Sequence, residues 1–279
     1  MLRSVDLSDY MQHNPVKIGM SDGLDKAVAM ILEHRVSGLC VVDHRNVLLG
    51  VLSEMDCLRV GLSQFNPQTH DVTEVGHFMQ LHPIKVTPET DVFSAITSII
   101  ENRVSGLCVV DKQNKLLGVL SEMDCLRAIL SAIYNDHREV GQVQEHMTHA
   151  IEFCTPEADI REVASDMLSK GRRRRPVLDK GRLVGQITCR QILVSLKGAT
   201  IFTDHVEQHM IAKVESCLLH SDIVSVANDM LIKGRRRRPV VDHGKLVGQI
   251  TCRQLLSVVS EFNRNQVAAN FDPIYRDLL

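Results

Sequence analysis

The chain has 279 residues, of which 44% are hydrophobic and 24% charged; that is material for about two ordinary domains at near-average composition, which excludes disordered, collagen-like and coiled-coil classes. Thirty-two Lys and Arg against 34 Asp and Glu leave a net charge of −2, so any affinity for nucleic acid or an anionic membrane must be local, and 4% aromatics without Trp offer few rings for base stacking. No apolar run approaches a membrane span, and Met1–Asp6 lacks the charged-then-apolar layout of a signal peptide, so the expectation is a cytoplasmic protein without membrane contact.

The first elements set a pattern. Asp22 can cap a helix whose Leu24, Ala27, Val28, Ile31 and Leu32 share one face. Two short apolar runs, Leu39–Val42 and Val47–Leu52, flank the polar Asp43-His44-Arg45-Asn46 and read as strand, turn, strand. Ser53 opens a second helix through Glu54–Leu62. The pattern then repeats. Residues 35–43 (RVSGLCVVD) recur unchanged at 103–111, and 48–59 (LLGVLSEMDCLR) at 116–127. Residues 170–177 (KGRRRRPV) recur at 233–240, and 183–191 (LVGQITCRQ) at 246–254. All four units share a Met-led start (Met11, Met79, Met147, Met210), a helix, a Val-rich run ending in Asp (Asp43, Asp111, Asp179, Asp242), a turn, and Gly-x-x-Ser/Thr. Units 1 and 2 are of one kind, A; units 3 and 4 are of another, B.

The expected boundaries are 1–62, 63–130, 131–196 and 197–261, followed by a tail, 262–279, that matches nothing earlier. Segments 63–77, 131–146 and 197–209 read as connectors. A β-α-β-β-α unit of about 60 residues is marginal alone and should bury its sheet face against another unit. Sequence neighbours usually pair, giving 1 with 2 and 3 with 4; the contiguity of units 2 and 3 leaves 2 with 3 and 1 with 4 open.

Gly50-Val51-Leu52-Ser53-Glu54-Met55-Asp56 resembles the Gly, hydrophobic, any, Ser/Thr, any, any, Asp signature of CBS domains, and the resemblance extends in register over four copies and nearly the whole chain. It implies an α/β (α+β) fold of four β-α-β-β-α CBS units packed as two pseudo-two-fold Bateman modules, which in the family often form a disc. It further implies clefts that bind an adenosyl ligand: AMP, ADP or ATP, with S-adenosylmethionine as a further possibility and no required cofactor.

Ser53 and Asp56, like Ser121 and Asp124, stand three apart at a helix start. The spacing fits a capping box; it also fits a hydroxyl aiding phosphate capture at free helix N–H groups while the carboxylate accepts ribose hydroxyls, and the resemblance favours the latter. Gly50 and Gly118 leave two readings equal: close approach of a ligand, or a tight strand exit. In the B units the signatures begin at Gly185 and Gly248 and keep Thr188 and Thr251, but Gln191 and Gln254 replace the acid; an amide cannot offer two charged acceptor oxygens. The B units instead carry Arg172–Arg175 and Arg235–Arg238, each run directly before Pro-Val. Alternation along a strand turns about two of each run one way, and by the resemblance the cleft-lining pair is Arg173 and Arg174, with Arg236 and Arg237. Arg suits bidentate phosphate binding. A units would supply ribose carboxylates and B units phosphate-binding cations.

No nucleophile stands beside a base and no phosphate loop of the Gly-x-x-x-x-Gly-Lys-Ser/Thr kind occurs, so no catalysis is expected. His205 with His209, and His146 with His149, lack the Cys or carboxylate partners of a metal site. The eight cysteines contain no Cys-x-x-Cys pair and read as buried thiols. The expectation is a regulatory adenine-nucleotide-binding protein acting on a partner in trans, with a homodimer open. The rival readings are a nucleic-acid-binding protein using the Arg runs, which the net acidity disfavours, and a CBS scaffold without ligand.

Overall fold

The computed structural model describes residues 7–63, 73–133, 140–197 and 204–261; the tail 262–279 and parts of the three connectors lie outside the described residues. Four units follow each other; units 1, 2 and 4 share one element order, and in unit 3 a single bridge, Cys154 with Val177, stands where the others have a first strand. Unit 1 has β1 (Lys17–Gly19), α1 (Leu24–Glu33), β2 (Gly38–Val42), β3 (Leu48–Ser53) and α2 (Glu54–Ser63). Unit 2 has β4 (Lys85–Val86), α3 (Val92–Glu101), β5 (Gly106–Val110), β6 (Leu116–Ser121) and α4 (Glu122–Ile133). Unit 3 starts with the short α5 (Val143–His146), then α6 (Ile160–Ser169), β7 (Arg174–Asp179), β8 (Arg182–Thr188) and α7 (Cys189–Leu196). Unit 4 has β9 (Cys217–Leu218), α8 (Ile223–Ile232), β10 (Arg237–Asp242), β11 (Lys245–Thr251) and α9 (252–261).

In each A unit a first strand runs parallel to the second, across the helix between them, and the second pairs antiparallel with the third. The hairpin turns close on the Asp that ends the Val-rich strand: Asp43 Oδ1 accepts from the Arg45 and Val47 N–H groups at 2.9 and 2.8 Å, an Asx-type turn. The first helix of each unit buries one face, in unit 1 Leu24, Ala27 and Ile31, as the spacing predicts. The cap expectation needs correction in unit 1. Asp91, Asp159 and Asp222 cap α3, α6 and α8 through side-chain hydrogen bonds, whereas Gly23 holds that place on α1. Asp22, one residue early, accepts instead from the Gly19 N–H at 2.9 Å and from Lys26 at 2.7 Å.

Units pair 1 with 2 and 3 with 4, which decides the question the sequence leaves open. Val47 bridges Lys115 between the A hairpins, and Asn46 and Asn114 reciprocate, each side-chain amide donating to the other hairpin's carbonyl, on Leu116 at 2.7 Å and Leu48 at 2.8 Å. In the B pair β8 meets β11 at Arg182 and Lys245, making one five-stranded sheet. The Met-led start of each unit crosses to its sister. Gln12 exchanges backbone hydrogen bonds with Val119, Gln80 with Val51, Thr148 with Gln249, and Ile211 with Gln186. The described ends of the connectors are packed segments, with Val75, Val143 and Val206 fully buried.

The two pairs are sewn together by helices. One core joins unit 1 to unit 3, through residues such as Ile31, Leu58, Met167 and Ile192. The other joins unit 2 to unit 4, through Ile99, Leu126, Met230 and Leu256. Gly61 lets Leu196 approach α2. The units therefore close a cycle, 1–2–4–3, within one chain, and the arginine runs reach across it, Arg173 of unit 3 to Ser105 of unit 2 and Arg236 of unit 4 to Ser37 of unit 1. Among the described residues no helix is long and apolar enough to cross a membrane.

Candidate functional site

The signature glycines have a cause neither sequence reading contains. A Cβ on Gly50 would stand 2.5 Å from the Gln80 carbonyl oxygen, and one on Gly118 2.7 Å from that of Gln12; on Gly185 and Gly248 it would collide with the sulfurs of Met210 and Met147. The group that needs the space is the sister unit's Met-led start, so these glycines mark the seam inside each module. Both sequence readings of Gly50 and Gly118 are corrected on this point.

The A-type signature helices are capped by their own side chains. Asp56 Oδ2 accepts from the Ser53 N–H at 2.9 Å and from the Ser53 hydroxyl at 2.6 Å, while Arg59 reaches Oδ1 at 3.3 Å. Asp124, Ser121 and Arg127 repeat this, with Arg127 at 3.1 Å. The capping box is thus present, and each Oδ1 keeps one capacity beyond a contact made by an exposed arginine. In the B units the Thr188 hydroxyl donates to Gln191, and that of Thr251 to Gln254 Oε1 at 2.8 Å. Gln254 Nε2 also donates to the His146 carbonyl at 2.8 Å, so the amide that replaces the acid serves the seam between units 3 and 4.

Each arginine run divides. Arg175 and Arg238 are 5% and 1% exposed. They turn into their own units, Arg175 onto Asp166 of α6 and onto Glu152 at 2.9 Å, and Arg238 onto Asp229 of α8 at 2.5 Å. The arginines two residues earlier, just before β7 and β10, leave their own units. Arg173 Nη1 reaches the Ser105 hydroxyl of unit 2 at 3.4 Å, and Arg236 Nη1 that of Ser37 in unit 1 at 3.3 Å. Ser37 and Ser105 lie against the signature helices, since their carbonyls accept the first N–H of α2 and α4, at 3.0 and 3.1 Å.

Arg174 and Arg237 complete the cluster. Arg174 sits across the ladder from Thr188, and Arg237 from Thr251. Burial, reinforced by the fields of Arg237 and Arg236, brings the Arg174 guanidinium down to about 10. Burial likewise lowers Arg237, with Arg172 beside it. Among the described residues no carboxylate forms an ion pair with Arg172, Arg173, Arg174, Arg235, Arg236 or Arg237. Two nearby acids, Glu54 and Glu122, are already held by arginines the sequence reading missed. Arg190 grips Glu54 at 2.6 and 3.0 Å, and Arg253 grips Glu122 at 3.0 Å. The signal lay in the signatures themselves, with an acid directly after Ser in both A units and an Arg two after Thr in both B units.

The structure therefore ties the cation cluster to Ser37, beside the start of α2, and to Ser105, beside the start of α4; in the cluster Arg174 and Arg237 are desolvated while Arg172 and Arg235 are exposed. Six guanidiniums without counter-charges raise the local potential and favour a multiply charged anion. The described residues contain no group of three or more His, Cys, Asp or Glu able to hold a metal. The cysteines are all free, and burial pushes Cys57, Cys125 and Cys189 up to about 12, out of the range of reactive thiols.

The CBS domain model matches residues 7–63, 74–131 and 140–198, the first three units. Protein MJ1225 of Methanocaldococcus jannaschii is 26% identical over 257 residues, covering 83% of this chain and 90% of that one. Its crystal structure has the same fold, with a TM-score of 0.82 at 23% identity over 91% of this chain and 99% of that chain. A conserved protein of Pyrococcus horikoshii also shares it, with a TM-score of 0.62 at 18% identity over 91% and 100% of the two chains. With that match spanning more than half of its length, the chain belongs to the CBS domain family.

Proposed function

We propose that this chain is a regulatory protein that binds an adenine nucleotide at the cluster between its A and B modules and passes occupancy to a partner in trans. The observation that carries the reading is that Arg174 and Arg237 are desolvated next to further arginines without a carboxylate partner, Arg237 meeting only the Gln249 amide oxygen at 3.3 Å. Buried charge without a counter-ion is costly unless the site is built for an anion. Phosphates would lie against Arg173, Arg174, Arg236 and Arg237, with Thr188 and Thr251 at the rim. Ser53 with Asp56, and Ser121 with Asp124, would take the ribose end, Asp56 and Asp124 exchanging the exposed Arg59 and Arg127 for ribose hydroxyls. AMP, ADP and ATP fit this charge; S-adenosylmethionine, whose sulfonium is itself a cation, fits it less well.

The same reading takes the fourth unit, which repeats the element order of units 1 and 2, as a fourth CBS domain, giving two Bateman modules with units at 1–62, 63–130, 131–196 and 197–261. It assigns no catalytic step and no required cofactor, and places the protein in the cytoplasm, with a homodimer compatible. The relative MJ1225, whose structure is described as that of a candidate archaeal homolog of g-AMPK, is in keeping with a nucleotide-responsive role. Half-buried arginines facing the centre suit a small anion better than a nucleic-acid backbone, which needs an exposed track.

The test is a thermal-shift series with AMP, ADP, ATP and S-adenosylmethionine on the native chain and on Arg174→Ala with Arg237→Ala. Ligand binding to the folded state raises Tm with concentration. A shift with an adenine nucleotide that the double variant loses supports the reading; a flat response to all four ligands sinks it and leaves the scaffold.

A further inference from the structure

The two halves of the cluster draw on the same two segments. Arg174 and Arg237 open β7 and β10, Arg173 and Arg236 lie just before those strands, and the adjacent residues reach different A units. From unit 3, Arg173 reaches Ser105 of unit 2. Its neighbour Arg174 lies across from Thr188, two residues before Arg190, and Arg190 holds Glu54 of unit 1. From unit 4, Arg236 reaches Ser37 of unit 1, while Arg237 lies across from Thr251, two residues before Arg253, which holds Glu122 of unit 2. The fields tie the buried pair to both sides: Arg174 feels Arg237 first, then Arg236 and Glu54, and Arg237 feels Arg172 first, then Glu122, Arg253 and Arg173. The side of Ser53 and Asp56 is thus served by Arg236 and Arg174, and the side of Ser121 and Asp124 by Arg173 and Arg237.

We infer that the two nucleotide sites are coupled through these shared segments, each B unit lending one arginine to each site, so that two polyphosphates bind with negative cooperativity. The inference rests on the proposed function and adds its regulation. The first polyphosphate relieves the mutual repulsion of the cluster, and the second meets a field already neutralised as well as the charge of the first. A monophosphate neutralises less and couples the sites less. The protein would then respond over a broad range of triphosphate concentration and a narrow range of monophosphate.

Calorimetric titration of the full chain with ATP and with AMP tests this. The expected result is two ATP sites whose dissociation constants differ by at least about tenfold at low salt, a gap that narrows as salt screens the charges, and two AMP sites within about threefold. Asp56→Ala and Asp124→Ala each leave one site, and that single site binds ATP with the affinity of the tighter phase. In the Asp56→Ala background Arg173→Ala weakens the remaining site at least about tenfold and Arg174→Ala changes it less than about threefold; in the Asp124→Ala background the order reverses. Folding of each variant is checked by its unfolding transition, and the salt series on the native chain needs no variant. Two ATP sites of equal affinity at low salt, a gap indifferent to salt, or Arg173 and Arg174 acting on the same site would overturn the coupling while leaving the proposed function standing. Absence of any adenylate binding would overturn both.

Discussion

Arg190 of unit 3 holds Glu54 of unit 1 by two hydrogen bonds, 2.6 and 3.0 Å long, and with the same guanidinium donates to the Val36 carbonyl at 2.7 Å. The Glu54 side chain is 9% exposed, and removing one partner of such a pair leaves the other charge buried and unpaired. Arg190→Ala should therefore cost about 3 kcal/mol, and Arg190→Lys should recover only part of it, because a point ammonium cannot serve the carboxylate and the carbonyl together. Urea unfolding of Arg190→Ala, Glu54→Ala and the double variant would show it as non-additive losses. Strict additivity would mean that the contact does not hold the modules.

Gly50 separates the seam from ordinary backbone freedom. Its added Cβ would stand 2.5 Å from the Gln80 backbone oxygen, an atom that can move only with the exchanged hydrogen bonds between Gln80 and Val51. Gly50→Ala should destabilise by about 2 kcal/mol. Gly23→Ala, where the new atom meets nothing within 4 Å and only the cap preference of α1 is lost, should cost less, about 0.5–1 kcal/mol. Equal stabilities for the two variants in chemical denaturation would remove the steric account of the signature glycine.

Local patterns in this chain were legible where their causes are local. The spacing of Leu24, Ala27 and Ile31 locates a helix, and Asp43 to Asn46 locate a hairpin, because the partners of these residues lie within a few positions. Gly50 was ambiguous because its constraint comes from Gln80, thirty residues away and in another unit. The cap of α1 was misplaced by one residue because Gly23 lacks the side chain that marks the same place in the other three units. Pairing of the units was open because either arrangement buries the sheets; it is decided by contacts between distant hairpins, the Val47–Lys115 bridge and the reciprocal Asn46 and Asn114 amides, whose partners lie about 70 residues away. Strand alternation did not foresee the split of the arginine runs, because Arg173 and Arg236 lie before the strands begin; only the fold shows that Arg175 and Arg238 pair with Asp166 and Asp229 while Arg173 and Arg236 reach across to different units.

The core ion pairs set the response to acid. Asp229 is held below its ordinary 3.8 first by Arg238 and then by Lys233, and Asp166 in the same way by Arg175 and Lys170. A carboxylate depressed on folding contributes stability that is complete above its unfolded value and is lost as pH falls through the lower folded value. Unfolding free energy should be level in these two contributions from pH 7 to about 5 and fall below about 4. Asp229→Asn should lower the plateau and flatten the fall. A variant with the native slope between pH 4 and 2 would mean that other carboxylates govern acid unfolding.

Arg174 works against folding when no anion is present. Burial and the fields of Arg237 and Arg236 lower it to about 10, so at neutral pH the folded state carries a guanidinium in surroundings that disfavour its charge. For a base depressed on folding, the penalty is complete below the folded value and disappears as pH rises from about 10 toward the unfolded value. Arg174→Met, which keeps the length and removes the charge, should raise the Tm of the ligand-free protein at pH 7 by about 2–4 °C and give up most of the stabilisation by ATP. The gain should shrink above pH 10. Sulfate or tripolyphosphate should stabilise the native chain more than chloride at equal ionic strength, and the variant much less. A site shaped for an anion is expected to trade resting stability for function in this way. If Arg174→Met lowers the ligand-free Tm instead, the arginine is a packing element and the anion reading of the cluster loses its main support.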